Sequence, residues 1–73
     1  MSIQDKIGRR IKELRIEKGL TQEAVAWRSE LDRTFMNHVE NGRRNISLNS
    51  LEKIICSGLQ ISFSEFFNTQ DFA

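Results

Sequence analysis

Residues 20–42 read Leu20-Thr21-Gln22-Glu23-Ala24-Val25-Ala26-Trp27-Arg28-Ser29-Glu30-Leu31-Asp32-Arg33-Thr34-Phe35-Met36-Asn37-His38-Val39-Glu40-Asn41-Gly42, and this stretch decides the fold. It holds two helix starts close together. Thr21 is a good N-cap, because its hydroxyl can accept from a free N–H of the first turn, and Glu23 suits the positive end of the helix dipole. The helix it opens is short, about residues 22–29, with Val25 and Ala26 turned inward. Leu31 and Asp32 interrupt. Asp32 is the next candidate N-cap, for a helix of about residues 33–41 with Met36 and Val39 on its buried face. Gly42 stops it.

The segments on either side keep the same helical period. Upstream, Ile3, Ile7, Ile11 and Leu14 recur at steps of four, four and three, which is one face of a helix. Ser2 can cap its start. Lys18 falls in its last turn, and Gly19 stands where a left-handed residue ends a helix. Downstream comes a basic polar loop, Arg43-Arg44-Asn45. Ser47 or Asn49 opens a fourth helix whose apolar face is Leu51, Ile54 and Ile55, and Gly58 is the expected terminator. Ser62-Phe63-Ser64-Glu65 has the form of a capping box for a short fifth helix carrying Phe66 and Phe67. No segment alternates as a strand would. The expected fold is all-α, five helices in a single domain over residues 1–73, with short loops.

Composition bounds the function. A chain of 73 residues is one small domain, and dimerisation would help its stability. With 38% hydrophobic and 29% charged residues, four glycines and no proline, it reads as an ordinary globular protein. Cys56 has no disulfide partner and no zinc-ligand spacing, so a buried core thiol beside Ile54, Ile55 and Leu59 is expected. A cytoplasmic location fits the lone thiol, the polar start of the chain and the lack of any apolar run of the roughly 20 residues that span a membrane. Residues 1–45 hold ten Lys/Arg against seven Asp/Glu, and residues 46–73 hold one against three. A basic front and an acidic, apolar back suit a molecule with one face toward an anion. Ordinary scatter of solvated charges would read the same way.

Two short helices joined by about four residues, the second after a polar cap, outline a helix-turn-helix, spanning about residues 22–41. Many small helical domains contain such a corner, so the residues must decide. The third helix turns Arg33, Thr34, Asn37 and His38 away from Met36 and Val39. A helix entering the major groove reads base edges from its N-terminal part. Arg can bond guanine O6 and N7, Asn can bond adenine N6 and N7, and the Thr methyl can meet a thymine methyl. These four are the candidate base contacts. Candidate phosphate contacts are Gln22, at the first turn of the second helix, and Asn41, Arg43, Arg44 and Asn45, which follow the third. No nucleophile stands at a recognisable spacing from His38. With no glycine-rich phosphate loop and no metal-ligand cluster either, neither an enzyme nor a cofactor or metal site is expected.

The run Ile16-Glu17-Lys18-Gly19-Leu20-Thr21-Gln22-Glu23-Ala24-Val25-Ala26, with Val39-Glu40-Asn41-Gly42, resembles the Cro/C1-type (XRE) helix-turn-helix family. Leu31-Asp32-Arg33-Thr34-Phe35-Met36 and Glu40-Asn41-Gly42-Arg43-Arg44-Asn45-Ile46-Ser47-Leu48 resemble, more narrowly, the controller proteins of restriction–modification systems. The resemblance runs from about Ile7 to Phe67. It implies a five-helix, lambda-repressor-like DNA-binding domain, a homodimer on palindromic operators of double-stranded DNA, and autoregulation that activates at low dose and represses at high dose. RNA polymerase is carried as a further candidate partner. The resemblance puts Arg33 on a base, with Thr34 and Asn37 nearby, and Gln22, Arg43, Asn45 and Ser47 near the backbone. The chain departs from the controller pattern at Asn37 and His38, where small residues are usual. It also has Phe35 where a phenol is common, and Glu30 where many members turn with glycine.

The back of the chain, about residues 48–73, is the expected dimerisation region. Ile61, Phe63, Phe66, Phe67 and Phe72 are many large apolar groups for one small core, and paired phenyl rings anchor interfaces well. Ile61, Phe63, Phe66 and Phe67 are the candidate interface residues, with closure of the monomer core as the competing use of some of them. Rival functions are a phage-type repressor or an antitoxin of the same fold, and, in another class, a helical protein-binding adaptor.

Overall fold

The computed structural model describes residues 1–73. Each helix begins at the polar residue that its sequence offers. Ser2 caps α1 (Ile3–Glu17) in a complete capping box with Asp5. Thr21 caps α2 (Gln22–Arg28) by accepting from the Ala24 N–H. Asp32 caps α3 (Arg33–Glu40), accepting from the N–H groups of Thr34 and Phe35. Ser47 caps α4 (Leu48–Glu52) and Ser62 caps α5 (Phe63–Phe67). There is no strand. Gly19 and Gly42, with φ of 69° and 72°, turn the chain after α1 and α3. Glu30 takes the same left-handed conformation, φ 56°, at the end of α2 without being glycine. No helix is long and apolar enough to cross a membrane.

A single core holds the helices together. Ile7, Ile11 and Leu14 of α1 meet Val25 and Ala26 of α2, Met36 and Val39 of α3, and Leu51, Ile54 and Ile55 below them. The same amphipathic period that forms each helix thus supplies the face that it buries. Ile3, by contrast, is mostly exposed, so the α1 face expected to begin there begins inward only at Ile7. Gly8 lets α1 lie directly on the end of α3: a Cβ at Gly8 would come within 2.3 Å of the Val39 carbonyl oxygen. Arg10 ties α1 to α5, its Nε and Nη2 donating to the carbonyls of Phe66 and Glu65 at 2.7 and 2.9 Å.

Beyond α3 the fourth helix changes type, and two sequence expectations are corrected. After α4 the helix widens into a π-type segment, Lys53–Gly58, that ends at Gly58, the expected last residue, with Leu59 as its C-cap. Gly58 also serves close packing: a Cβ there would sit 2.4 Å from the Ser29 hydroxyl and 2.9 Å from Val25 Cγ1. The left-handed residue after the segment is Gln60, φ 58°. Cys56 is exposed, not buried, because the inward face is Leu51, Ile54, Ile55 and Leu59 and a residue next to Ile55 in sequence points elsewhere. Phe66 is 0% exposed and Ile61 is buried, so both close the monomer core and are unavailable to a partner. Phe66 is the hub of an aromatic cluster, with Phe67 edge-on at 4.9 Å between ring centroids and Phe72 at 6.3 Å.

Candidate nucleic-acid interface

The corner between α2 and α3 is built from the inside. Val25 and Ala26 on one helix and Met36 and Val39 on the other are all buried, which fixes how the two cross. The outward side is polar. Arg33, Thr34 and Asn37 are exposed together at the N-terminal part of α3. With Gln22 of α2 they line a hollow of about 280 Å³ that has no hydrophobic residue in its wall. His38 is half-buried on the same helix, less open to a base edge than Asn37.

Arg33 is not tied down. Its Nη1 lies 3.6 Å from Glu23 Oε2, and the two side chains are 70% and 76% exposed, a pairing that water largely screens. Asn37 is held on two sides: its Nδ2 donates to Gln22 Oε1 at 3.2 Å, and its Oδ1 accepts from Asn41 Nδ2 at 3.3 Å. Gln22 in turn donates from Nε2 to Glu40 Oε1 at 3.1 Å. Glu40 is locked by Arg15 beneath. Gln22 and Asn41, read from sequence as phosphate contacts, thus also brace Asn37.

The basic loop flanks α3. Arg43, Arg44, Asn45 and Ser47 are exposed. The Arg44 guanidinium lies 5.3 Å from the centroid of the Phe35 ring, a cation–π contact that stiffens the loop against α3. The Asn45 carboxamide oxygen accepts from Gln4 Nε2 of α1. The Ser47 hydroxyl accepts from the Ser50 N–H and donates to Ser50 Oγ. Of the six phosphate-side residues expected from sequence, Gln22 and Asn41 bond to Asn37 of α3 and Arg44 packs on Phe35, whereas Asn45 bonds to α1 and Ser47 to α4. No group of three or more His, Cys, Asp or Glu comes together to hold a metal ion.

Sequence reasoning missed two sets of residues. Arg15 and Glu40 form the buried base of the site. The available signal was Glu40 itself, an acid in the last turn of a short helix, where the dipole disfavours negative charge unless a cation answers it. The second set is a mostly apolar groove of about 290 Å³, walled by Ile3, Ile7, Val39, Ile46, Leu51 and Phe67 and bordered by Arg44 and Asn45 of the basic loop. Leu48 stands at its lip, 84% exposed. The sequence signal was a spare apolar residue at the first position of α4, between the staple residues Ile46 and Leu51 that flank its cap.

The corner of two short helices, with a polar outward face on the second, defines a helix-turn-helix protein. A family model described as a helix-turn-helix domain matches residues 6–59. The chain is 48% identical over 67 residues to control protein C.MunI of Mycoplasma sp, across 90% of this chain and 89% of that one. It belongs to the helix-turn-helix domain family and, within it, to the restriction–modification controller proteins. Its fold is similar to that of the controller protein C.AhdI from Aeromonas hydrophila, with a TM-score of 0.81 and 44% identity over 88% of this chain and 96% of that one. It is also similar to that of C.Esp1396I, solved as a tetramer in complex with its natural 35 base-pair operator, with a TM-score of 0.84 and 43% identity over 92% and 88% of the two chains.

Proposed function

We propose that this chain is a sequence-specific, dimeric DNA-binding transcriptional regulator that controls a restriction–modification operon including its own gene. The observation that carries the reading is the exposed Arg33, Thr34 and Asn37 at the N-terminal part of α3, in a chain matching nearly the full length of a controller solved on its operator. In this reading α3 enters the major groove, and Arg33, Thr34, Asn37 and His38 meet base edges. Gln22, Asn41, Arg43, Arg44, Asn45 and Ser47 hold the backbone on either side. The protein is a cytoplasmic binding protein with no catalytic role, and RNA polymerase is a candidate partner at the promoter.

A dimer follows from size as well as kinship. Half-sites of a palindromic operator lie about 34 Å apart, one helical turn. One chain measures 30 Å in its longest direction and carries a single reading helix, so two copies are required. Their contact is the face around Ile3, Ile46, Leu48 and Phe67, with Phe63, 42% exposed, beside it. In a two-fold contact each copy offers the same patch to the other, and a protruding Leu48 beside an open groove suits that symmetry. The dimerisation region is therefore residues 48–73 together with Ile3 and Ile46.

A footprint on the DNA upstream of the gene, with a salt titration, tests the function. Protection of two related half-sites, with log affinity falling linearly in log salt, is expected. Absence of salt-dependent duplex binding would leave the helical adaptor as the better reading.

A further inference from the structure

We infer that Asn37 selects adenine, and that a one-way hydrogen-bond relay starting at Glu40 fixes which way its amide faces. The inference rests on the placement of α3 in the major groove proposed above. A carboxylate can only accept hydrogen bonds. Glu40, with its side chain 1% exposed, takes Arg15 Nε on Oε2 at 2.7 Å and Arg15 Nη2 on Oε1 at 3.0 Å. Any further neighbour that bonds to it must present a donor. Gln22 therefore turns its NH₂ toward Glu40 Oε1, at 3.1 Å, and its oxygen away. That oxygen can only accept, so Asn37 must turn its own NH₂ toward Gln22, at 3.2 Å. Asn41 completes the sequence by donating to Asn37 Oδ1 at 3.3 Å, while the same Nδ2 donates to the Asn37 carbonyl at 3.0 Å. Each link leaves the next amide one orientation.

The consequence lies in what Asn37 has left. One of its two N–H groups is taken by Gln22 and one lone pair of its oxygen by Asn41. One donor and one acceptor remain on an exposed side chain beside the polar hollow. In the major groove only adenine offers an acceptor, N7, next to a donor, N6. Guanine offers two acceptors, cytosine a donor and thymine an acceptor. An amide free to flip would bond less selectively and would lose rotational freedom on binding; the relay removes that freedom beforehand. Asn37 is thus a base-reading residue, and Gln22 and Glu40 are positioning residues that act through it.

The test is a binding selection on operators randomised across each half-site, run with a melting curve for every variant. The unaltered protein should show a preferred operator with adenine at one position per half-site that depends on Asn37. Asn37→Ala should flatten that position by about five- to a hundredfold while the other positions keep their bases. Gln22→Met keeps the side chain's length but ends the relay. Overall affinity should fall as well, and the melting temperature should drop somewhat because buried Glu40 loses a donor, so the deciding readout is base preference: the Asn37 position alone should lose discrimination. An Asn37→Ala profile identical to that of the unaltered protein, or one that loses a base other than adenine, overturns the assignment while leaving DNA binding intact. A Gln22→Met profile that keeps full adenine preference overturns the relay. Binding with no preferred operator at all would overturn the assignment together with the function on which it rests.

Discussion

The Arg15 guanidinium grips the Glu40 carboxylate at two points, Nε to Oε2 at 2.7 Å and Nη2 to Oε1 at 3.0 Å, with the side chains only 13% and 1% exposed. Arg15 also donates from Nη1 to the Leu20 carbonyl, so the pair spans the end of α1, the entry to α2 and the end of α3. A pair this deep stabilises mainly by not being broken. Glu40→Ala leaves a cation with little water and should cost about 3–5 kcal/mol of stability. Replacing both partners, Arg15→Met with Glu40→Leu, should recover much of that loss, because neither charge is then stranded. Denaturant melts of the three variants check this, and a double variant no better than Glu40→Ala would show that the two residues are not coupled.

The dimer face gives the second prediction. Leu48 is 84% exposed, so Leu48→Glu leaves the monomer core untouched. It would place a carboxylate in an apolar contact, where desolvation costs several kcal/mol. Sedimentation at micromolar concentration should show a monomer that keeps its helical circular dichroism and binds operator weakly. Phe67→Glu is a poorer probe, since Phe67 packs edge-on against both Phe66 and Phe72 at 4.9 Å. A Leu48→Glu protein that stays a tight dimer would place the interface elsewhere.

Much of this architecture was legible because it is local. Ser2, Thr21, Asp32, Ser47 and Ser62 each cap the helix that their neighbours suggest, and a cap needs only the three residues that follow it. The polar face of α3 was legible for the same reason, since Met36 and Val39 fix the inward side and geometry assigns the rest. What sequence left open depends on contacts between distant elements. Nothing within a few residues of Phe66 tells whether it fills its own core or a partner's; its place under α1, where Arg10 reaches over to its carbonyl, decides. Cys56 was misread by sequence neighbours when only the helix face matters. Glu40 was passed over because its partner Arg15 is 25 residues away.

Backbone grip is separable from reading by salt. Arg43 is exposed in the loop after α3, next to an arginine that is braced on Phe35. A phosphate contact carries no sequence information, so Arg43→Ala should weaken binding to all duplexes about equally. It should also reduce the slope of log affinity against log salt by about one unit, since one fewer counterion is released. A change in the preferred base at one operator position would instead make Arg43 a reader.

Arg33 should be the strongest single specificity contact. It is the first residue of α3, one position after the Asp32 cap, at the helix end that leads into the groove. Its guanidinium is always charged and presents paired donors in a plane, which matches O6 and N7 of guanine. The structure leaves those donors available: the nearest acid is Glu23 at 3.6 Å, on a side chain 76% exposed, and a pair so hydrated gives way readily to a base edge. Loss of a bidentate contact costs roughly 1–3 kcal/mol of discrimination. Arg33→Ala should therefore flatten the guanine preference at one base pair in each half-site, while affinity for random DNA falls much less. The competing view is that Arg33 only steadies the helix start through its acidic neighbour. That view makes Arg33→Ala lower the melting temperature and leave base preference alone, and it makes Glu23→Gln behave the same way. Stability and base selection measured on both variants decide between the two. A sequence preference unchanged by Arg33→Ala would remove Arg33 from the reading face.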